Sequence, residues 1–405
     1  MAENHGPIMP RSLLTRWGRS LLRFAYEAFW TVRHAPHVRG WRKDLERICA
    51  HAGGAQTTFL FAPSVPWTTL LAQRPQQMAR ALAGAGCLVI YAVPFHAPDC
   101  PPGFHEIEPH LYLAKVPAGV FAGRRDLTAF VLTYNSGWVR RIRPARLIYE
   151  MIDDLRVFPQ PQALLARAHR RLVERADLVV VSAAPLLEHV RGARADARLI
   201  PNGVDADFVR VQATRGVVPE EFADLVREGR PIIGYHGALA AWFDYPLLAS
   251  VARLRPEYTF VLIGPDYDGS LGEAGLHRLS NVRWLGGQSR TDLMRYLAWY
   301  DAAMLPFVVS PVTDAISPLK LFEYLAAGKP VVSTSLAEVS RYPVVLLAGD
   351  AETFALALDH ALSLRSDKVH ASLIEKTARE NTWDARAAAM LAALEALPAG
   401  AGRRA

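Results

Sequence analysis

A lysine and a glutamate three residues apart, Lys320 and Glu323, sit on the first turns of a short helical pattern within SPLKLFEYLAAGKPVV, residues Ser317 to Val332. Ser-Pro opens that helix, Gly-Lys-Pro breaks it, and a β-branched strand follows. The amino end of a helix carries partial positive charge and unpaired N–H groups, so with Lys320 one turn in it suits a phosphate-bearing ligand. Glu323 lies one turn further on, where a carboxylate can accept from the two hydroxyls of a ribose. Two neighbouring segments share this chemistry. GYHGAL (Gly234 to Leu239) ends a strand with two glycines, which lets backbone amides approach an anion closely. LIGPDYDG (Leu262 to Gly269) ends the next strand with Gly-Pro and two aspartates. Each alone has an ordinary explanation: Gly-x-x-Gly after a strand is a turn, and Lys320 with Glu323 is a solvated helical pair. Their order along the chain points to a nucleoside diphosphate derivative.

Candidates for proton transfer lie in the first half. YEMIDDLRVF puts Asp153 and Asp154 at the carboxyl end of a strand, where one could take a proton from an attacking hydroxyl. The competing explanation is that the pair caps the next helix or binds a nearby arginine. SVPWTTLLAQRPQQ supplies Trp67, Arg74 and Gln77 near the end of the first strand as possible cleft residues. Arg74 could touch a phosphate or cap the following helix, and His236, flanked by glycines, could serve the site or bond to backbone.

The elements that must position these groups follow a simple alternation. Short β-rich runs at Thr58 to Ala62, Leu88 to Val93, Ala129 to Tyr134, Leu147 to Ile152 and Leu178 to Ser182 read as strands, with helices such as Pro75 to Ala85 and Pro161 to Ala176 between them. His105 to Val116 departs from the alternation as an extra hairpin or an extended excursion. After a polar, strand-poor stretch from Asp205 to Arg230, strands resume at Ile232 to Tyr235, Thr259 to Ile263, Val282 to Leu285, Ala302 to Leu305, Pro330 to Ser333 and Val344 to Leu347. Helices at Tyr245 to Leu254, Arg290 to Tyr300, Leu319 to Ala327 and Ala351 to Leu364 fill the gaps. The fold class is therefore α/β: two Rossmann-like, doubly wound domains facing a cleft, preceded by an amphipathic helical extension. Ligands of open α/β sheets bind outside the carboxyl ends of the strands, so the cleft is the expected site. The domain boundaries are 1–55 for the extension, 56–205 and 206–380 for the two domains, and 381–405 for a closing helix.

At 405 residues the chain exceeds one ordinary core. Its net charge of +7 is uneven: nine Lys/Arg face Glu27, Asp44 and Glu46 between Arg11 and Arg47. On a helical projection Leu13, Leu14, Trp17, Leu21, Leu22, Phe24, Ala25, Ala28, Phe29 and Val32 share one arc, opposite Arg16, Arg19, Arg23 and Glu27, with Tyr26 and Trp30 off the arc. Such a helix lies on an anionic membrane or packs on protein. Peripheral membrane contact through residues 11–47 is the expectation, at the inner face of the cytoplasmic membrane, and nucleic acid is not expected because the apolar arc opposes the basic one. Cys49, Cys87 and Cys100 are an odd number without C-x-x-C spacing, which argues against a disulfide framework or zinc site and fits a reducing cytosol. No apolar run approaches the roughly 18 to 20 residues that span a bilayer, and arginines interrupt every stretch that could be a signal-peptide core.

Five ordered blocks, RPQQMARALAGAGCLVIYAVP, ADLVVVSAAPLLEHV with RLIPNGVDADFV, GYHGALAAWFDYPLL, NVRWLGGQSRTDLMRYLAWYDAAMLPF and SPLKLFEYLAAGKPVVST, together resemble a nucleotide-sugar glycosyltransferase of the two-Rossmann GT-B fold. The nearest group is the family 4-like enzymes of bacterial polysaccharide and teichuronic-type polymers. The resemblance runs from about Thr57 to Leu394, and NTWDARAAAML resembles the closing helix that crosses back onto the first domain. It implies transfer of a sugar from a nucleotide diphosphate donor to a glycan or lipid-linked acceptor, with no cofactor and no metal. By motif, Gly237 and Ala238 would face the diphosphate, Lys320 would pair with it, Glu323 would bind the ribose, Gly286, Gly287 and Gln288 would hold the base edge, and Ser317 and Leu319 would belong to the donor site. Two departures stand out. The family's second glutamate, eight residues before the ribose-binding one, is Ala315 here with Asp314 beside it, and AAWFDY replaces the usual basic residue after the Gly-rich loop. Retention and inversion both stay open. The rivals are a catalytically degenerate membrane scaffold, a nucleotide-sugar epimerase or hydrolase, and a nucleic-acid binder using the leader.

Overall fold

The computed structural model describes residues 28–51, 57–69, 72–214 and 216–398. Its strands are β1 (Thr58–Phe61), β2 (Leu88–Ala92), β3 (Gly103–Glu108), β4 (Leu111–Lys115), β5 (Leu127–Val131), β6 (Arg146–Met151), β7 (Leu178–Val181) and β8 (Arg198–Leu199) in the first half. In the second half they are β9 (Ile232–His236), β10 (Thr259–Ile263), β11 (Val282–Trp284), β12 (Ala302–Leu305), β13 (Val331–Thr334) and β14 (Leu346–Ala348). The principal helices are α1 (Val38–His51), α2 (Arg74–Gly84), α3 (Val139–Ile142), α4 (Gln162–Arg175), α5 (Ala184–Arg191), α6 (Ala206–Gln212), α7 (Tyr245–Leu254), α8 (Arg290–Leu297), α9 (Leu319–Ala326), α10 (Ala351–Ser363), α11 (Lys368–Glu380) and α12 (Trp383–Glu395).

The first sheet runs β3-β4-β2-β1-β5-β6-β7-β8 and the second β11-β10-β9-β12-β13-β14. Pairing is parallel in both, apart from the antiparallel β3–β4 hairpin, which is the excursion expected from His105 to Val116. Parallel strands covered on both faces bury every side chain, and Leu88–Ala92, Leu178–Val181 and Thr259–Ile263 are buried throughout. Alternation still sorts the two faces of the first sheet. Leu60 of β1 joins a core with Trp41, Leu45, Ile142, Leu172 and Val190 under α1, α3, α4 and α5. Phe59 and Phe61 point the other way, to Met78, Leu82, Trp383 and Met390 under α2 and α12. The last helix, α12, thus lies on the first sheet's side of the molecule, against α2.

Residues 28–33 are helical and lead into α1. Trp30, which lies off the leader's apolar arc, stacks on Phe95 at 4.3 Å between centroids and lies 6.2 Å from Trp41. Phe29 and Val32, on the arc, are 63% and 74% exposed. Over the last part of 11–47, one face of α1 buries Trp41 and Leu45 on the protein's own sheet, so any membrane contact there falls to its outer face. Residues 11–27, with most of the arc, lie outside the described residues. No helix among the described residues is long and apolar enough to cross a membrane.

Candidate active site

The carboxyl ends of β9, β10 and β12 and the start of α9 build a compact polar centre. β9 ends at His236, and Gly237 then turns with φ 135°, a conformation that favours glycine. A side chain there would also collide, since its Cβ would lie 2.5 Å from Cε and 2.9 Å from Nζ of Lys320. Gly264, at φ 151°, is needed because a Cβ would sit 1.9 Å from the Gly237 carbonyl oxygen. Gly237 and Gly264, one from each of the two glycine-bearing strand ends that the sequence marks, are thus the condition for packing lysine, loop and loop together. The Gly237 N–H donates to the Ile263 carbonyl and the Leu239 N–H to the Pro265 carbonyl, whereas the Ala238 N–H between them has no protein acceptor among the described residues. Of that pair, Ala238 is the one with an amide left for a ligand.

Lys320 lies half-buried on α9, its Nζ 5.2 Å from the ring centroids of both Tyr235 and Phe307. Burial brings its ammonium down to about 8, against the opposing pull of Glu323. A bound phosphate would restore the proton. Glu323 accepts from His236 Nε2 at 2.8 Å, with side-chain exposures of 22% and 3%. Burial pushes the Glu323 carboxyl up, but the hydrogen bond from His236 and the fields of His236, Arg290 and Lys320 outweigh it and hold the group below its ordinary range. Glu323 is therefore an ionised acceptor with one oxygen engaged and room for a donor at the other. The His236 backbone N–H donates to the Tyr324 hydroxyl at 3.0 Å, while His236 Nδ1 is buried with no partner.

Arg290 is a member of this centre that sequence reading missed. It opens α8, its guanidinium lies 4.0 Å from the Phe208 ring centroid, and it approaches Asp205 at 3.8 Å. Burial lowers its pKa, with Glu323 and Asp205 pulling the other way. A signal was available: an arginine at the first position of a helix opposes the macrodipole, and such a local conflict asks for a partner. The loop of Gly286, Gly287 and Gln288 precedes α8. The Gly286 carbonyl accepts from the Gly264 N–H at 2.6 Å, Gln288 folds back to the Leu285 carbonyl, and Gly287 is exposed.

Several expected contacts have other employment. Ser317 is a strut between the halves: its Oγ accepts from the Asn202 N–H at 3.1 Å and its carbonyl from Asn202 Nδ2 at 2.5 Å. The Leu319 side chain is partly buried against the first-half core. Arg74 is buried, clasping Glu150 of β6 at 2.7 Å, the Pro201 carbonyl at 2.8 Å and Asn202 Oδ1 at 3.1 Å. It ties α2, β6 and the crossover together rather than waiting for a phosphate. Gln77 is buried and lines a hollow of about 390 Å³ with Arg80, Asp205 and Trp383, and Trp67 packs on Tyr91 under the Arg80 guanidinium. Asp154 accepts from the Arg156 backbone N–H and guanidinium, so it is the cap and ion pair that the competing explanation described. Asp314 does not replace the missing glutamate, because its Oδ1 caps the Ala337 N–H, and Ala315 is packed into the first-half core.

That leaves Asp153. It follows β6 three residues after Glu150, and the Arg74–Asn202–Ser317 strut connects that strand end to the start of α9. Burial and then Asp154 push its carboxyl up to about 7, with Arg74 acting against them. A carboxylate with a pKa near neutrality is poised to accept a proton.

Two Rossmann-like sheets with this polar centre on the second have the GT-B architecture, and the second half is similar to group 1 glycosyltransferases. Residues 230–363 match the family model described as glycosyl transferases group 1, which covers β9 to α10 and so the whole polar centre. A curated relative, the putative teichuronic acid biosynthesis glycosyltransferase TuaH of Bacillus subtilis strain 168, is 29% identical over 231 residues, which are 55% of this chain and 57% of that protein. The chain thus spans little more than half the length of that relative. Among solved structures, sucrose-phosphate synthase from Thermosynechococcus elongatus superposes with a TM-score of 0.61 at 17% identity, covering 84% of this chain and 98% of the other. Anabaena HepE in complex with UDP gives 0.59 at 15%, covering 84% and 100%. The α,α-trehalose 6-phosphate synthase of Burkholderia multivorans gives 0.62 at 14%, covering 84% and 96%.

Proposed function

We propose that the protein transfers a sugar from a nucleoside diphosphate sugar to a hydroxyl of a glycan or lipid-linked acceptor, within polysaccharide assembly. The observation that carries this reading is the Lys320–Glu323–His236 group closed around Gly237. A lysine held by burial near its titration point gains most from a diphosphate, and an ionised carboxylate three residues on suits the ribose. Lys320, the Ala238 amide and the first-turn amides of α9 meet the charge of the leaving diphosphate, so the reaction needs no metal. Asp153 takes the acceptor proton if the reaction inverts. If it retains, the leaving phosphate guides same-face attack without a protein base. The relative with teichuronic acid in its name and the UDP complex of HepE support a uridine nucleotide and a polymer acceptor. The basic, apolar leader supports work at the inner face of the cytoplasmic membrane.

The test is the melting temperature with UDP, GDP, dTDP and ADP on the wild type, Lys320→Ala and Glu323→Ala. A nucleotide at 100 times its dissociation constant stabilises by about 2.7 kcal/mol. One nucleotide is expected to raise the melting temperature, and each substitution to remove most of the rise. No shift with any of the four would leave the scaffold reading, which Ala315 and the capping role of Asp314 favour.

A further inference from the structure

The helices on the α1 side of the first sheet carry charge that the donor site does not use. Over residues 139–146 and 162–175 there are eight arginines, Arg140, Arg141, Arg143, Arg146, Arg167, Arg170, Arg171 and Arg175, against Glu174 alone. All eight are exposed. None makes a salt bridge among the described residues, while arginines just outside the patch do, in Arg156–Asp154 and Arg191–Glu188. Arg140 and Arg171 lie on different helices and still feel each other: the charge of Arg167, then slight burial, then Arg140 and Arg175 hold the Arg171 guanidinium below its ordinary value. A folded surface that keeps eight like charges together with one carboxylate of its own, Glu174, to offset them is arranged for an anionic partner.

The kind of anion follows from what lies between the charges. Leu164 is 60% exposed and falls on one helical stripe with Arg167, Arg171 and Arg175. Val157, 44% exposed, stands where the chain leaves Asp153 and Asp154 for α4. The same layer continues through α1, which is tied to the loop at Gly119 by Arg42, to the exposed Phe29 and Val32. α1, α3 and α4 all pack on one core, so their outer surfaces belong to one side of the first domain. Cations interleaved with apolar side chains fit a lipid surface, in which both find their medium. A polyanionic chain in water would leave the leucine and valine without a function.

We propose that the outer face of α3 and α4, centred on Arg140, Leu164, Arg167 and Arg171, is a second membrane-contacting surface that seats the first domain on anionic lipid headgroups. It extends the reading of a leader-bound enzyme by placing the acceptor side of the cleft, at Asp153 to Val157, against the lipid. A membrane-borne acceptor then enters along α4.

The test is co-sedimentation of the full chain with vesicles of phosphatidylcholine alone and with about 30 mol % phosphatidylglycerol, at about 0.15 and 0.5 M NaCl. Three proteins are compared: wild type, Arg140→Glu/Arg167→Glu/Arg171→Glu, and a leader variant Arg16→Glu/Arg19→Glu/Arg23→Glu. The expected result is binding to the anionic vesicles only, weakened by salt, with at least a tenfold loss on reversal in α3 and α4. Binding that the leader variant abolishes and the α3–α4 variant leaves unchanged would overturn the proposal, as would equal binding to neutral vesicles or none to either. Weaker capture of the anionic vesicles than of a soluble polyanion such as heparin would overturn it too, in favour of a glycan or nucleic-acid surface. If the reversed variant fails to fold, the three Arg→Gln replacements repeat the comparison. Nucleotide-induced melting shifts on the same preparations are expected to match wild type, so failure of the transferase reading is scored separately from failure of this one.

Discussion

His236 shows how a single residue turns a common helical pair into a site. A glutamate and a lysine three apart on a surface helix interact by a few tenths of a kcal/mol. Here the imidazole donates to one oxygen of Glu323, keeps the carboxylate ionised and leaves the other oxygen for the ligand. In the reading of Glu323 as the ribose acceptor, wild type should bind the preferred nucleoside diphosphate roughly tenfold or more tighter than its 2′-deoxy form, since a hydrogen bond to a charged group contributes about 1.5–3 kcal/mol. His236→Phe should bring that ratio towards one, measured by calorimetry on both ligands. If the substitution weakens both nucleotides equally, His236 supports the loop and does not orient the carboxylate.

At the scale of elements, the Arg74 clasp decides how the cleft is built. Glu150 is wholly buried in β6, with Oε2 unpartnered and Oε1 taken by Arg74. Removing the arginine would strand that carboxylate, and loss of one partner of a buried pair costs about 3–5 kcal/mol. Arg74→Ala should therefore lower the melting temperature strongly, whereas Arg74→Met with Glu150→Leu should recover much of the loss. A ligand-binding role would give the opposite pattern, with normal stability and lost nucleotide affinity. The crossover is held by neighbouring contacts of the same kind: Asn202 spans to Ser317, and the fully buried Glu338 accepts from the Ala184 N–H that opens α5. Burial raises Glu338, with the Ala184 N–H and Arg341 opposing it.

In the proposed transfer, with Asp153 as base and Lys320 on the diphosphate, the whole molecule brings two titrations of opposite sense to one reaction, one from each half. Asp153 must be ionised to accept a proton, so the rate should rise as pH passes about 7. Lys320 must be charged to hold the diphosphate, so it should fall as pH passes about 8. A narrow optimum between these values is expected in the pH dependence of kcat/KM. Asp153→Asn should reduce the rate by about 10²–10⁴ and erase the acid limb if the reaction inverts. An acid limb that survives the substitution would mean that the leaving phosphate, not the protein, guides the attack.

Legible in the chain were the strand–helix alternation, most strands of both sheets to within about three residues, and the Lys320–Glu323–Gly237 group, whereas β8, α6 and α11 were not read. These signals are local: short apolar runs rich in β-branched residues and bounded by turn residues read as buried strands, and a glycine turn or a helix amino end each carries its chemistry in its own backbone. The sequence also offered alternatives that it could not rank. Asp153 and Asp154 are adjacent and chemically identical, and only packing gives one to Arg156 and leaves the other to rise towards neutrality. Ser317, Leu319 and Arg74 carry plausible ligand chemistry in one dimension, yet their partners, Asn202, the first-half core and Glu150, lie 76 or more residues away. The arginine face of α3 and α4 is likewise spread over two separate segments. Which polar group meets a ligand and which meets its own protein depends on the contacts that long-range folding supplies, because desolvation and pairing are properties of surroundings and not of residue type.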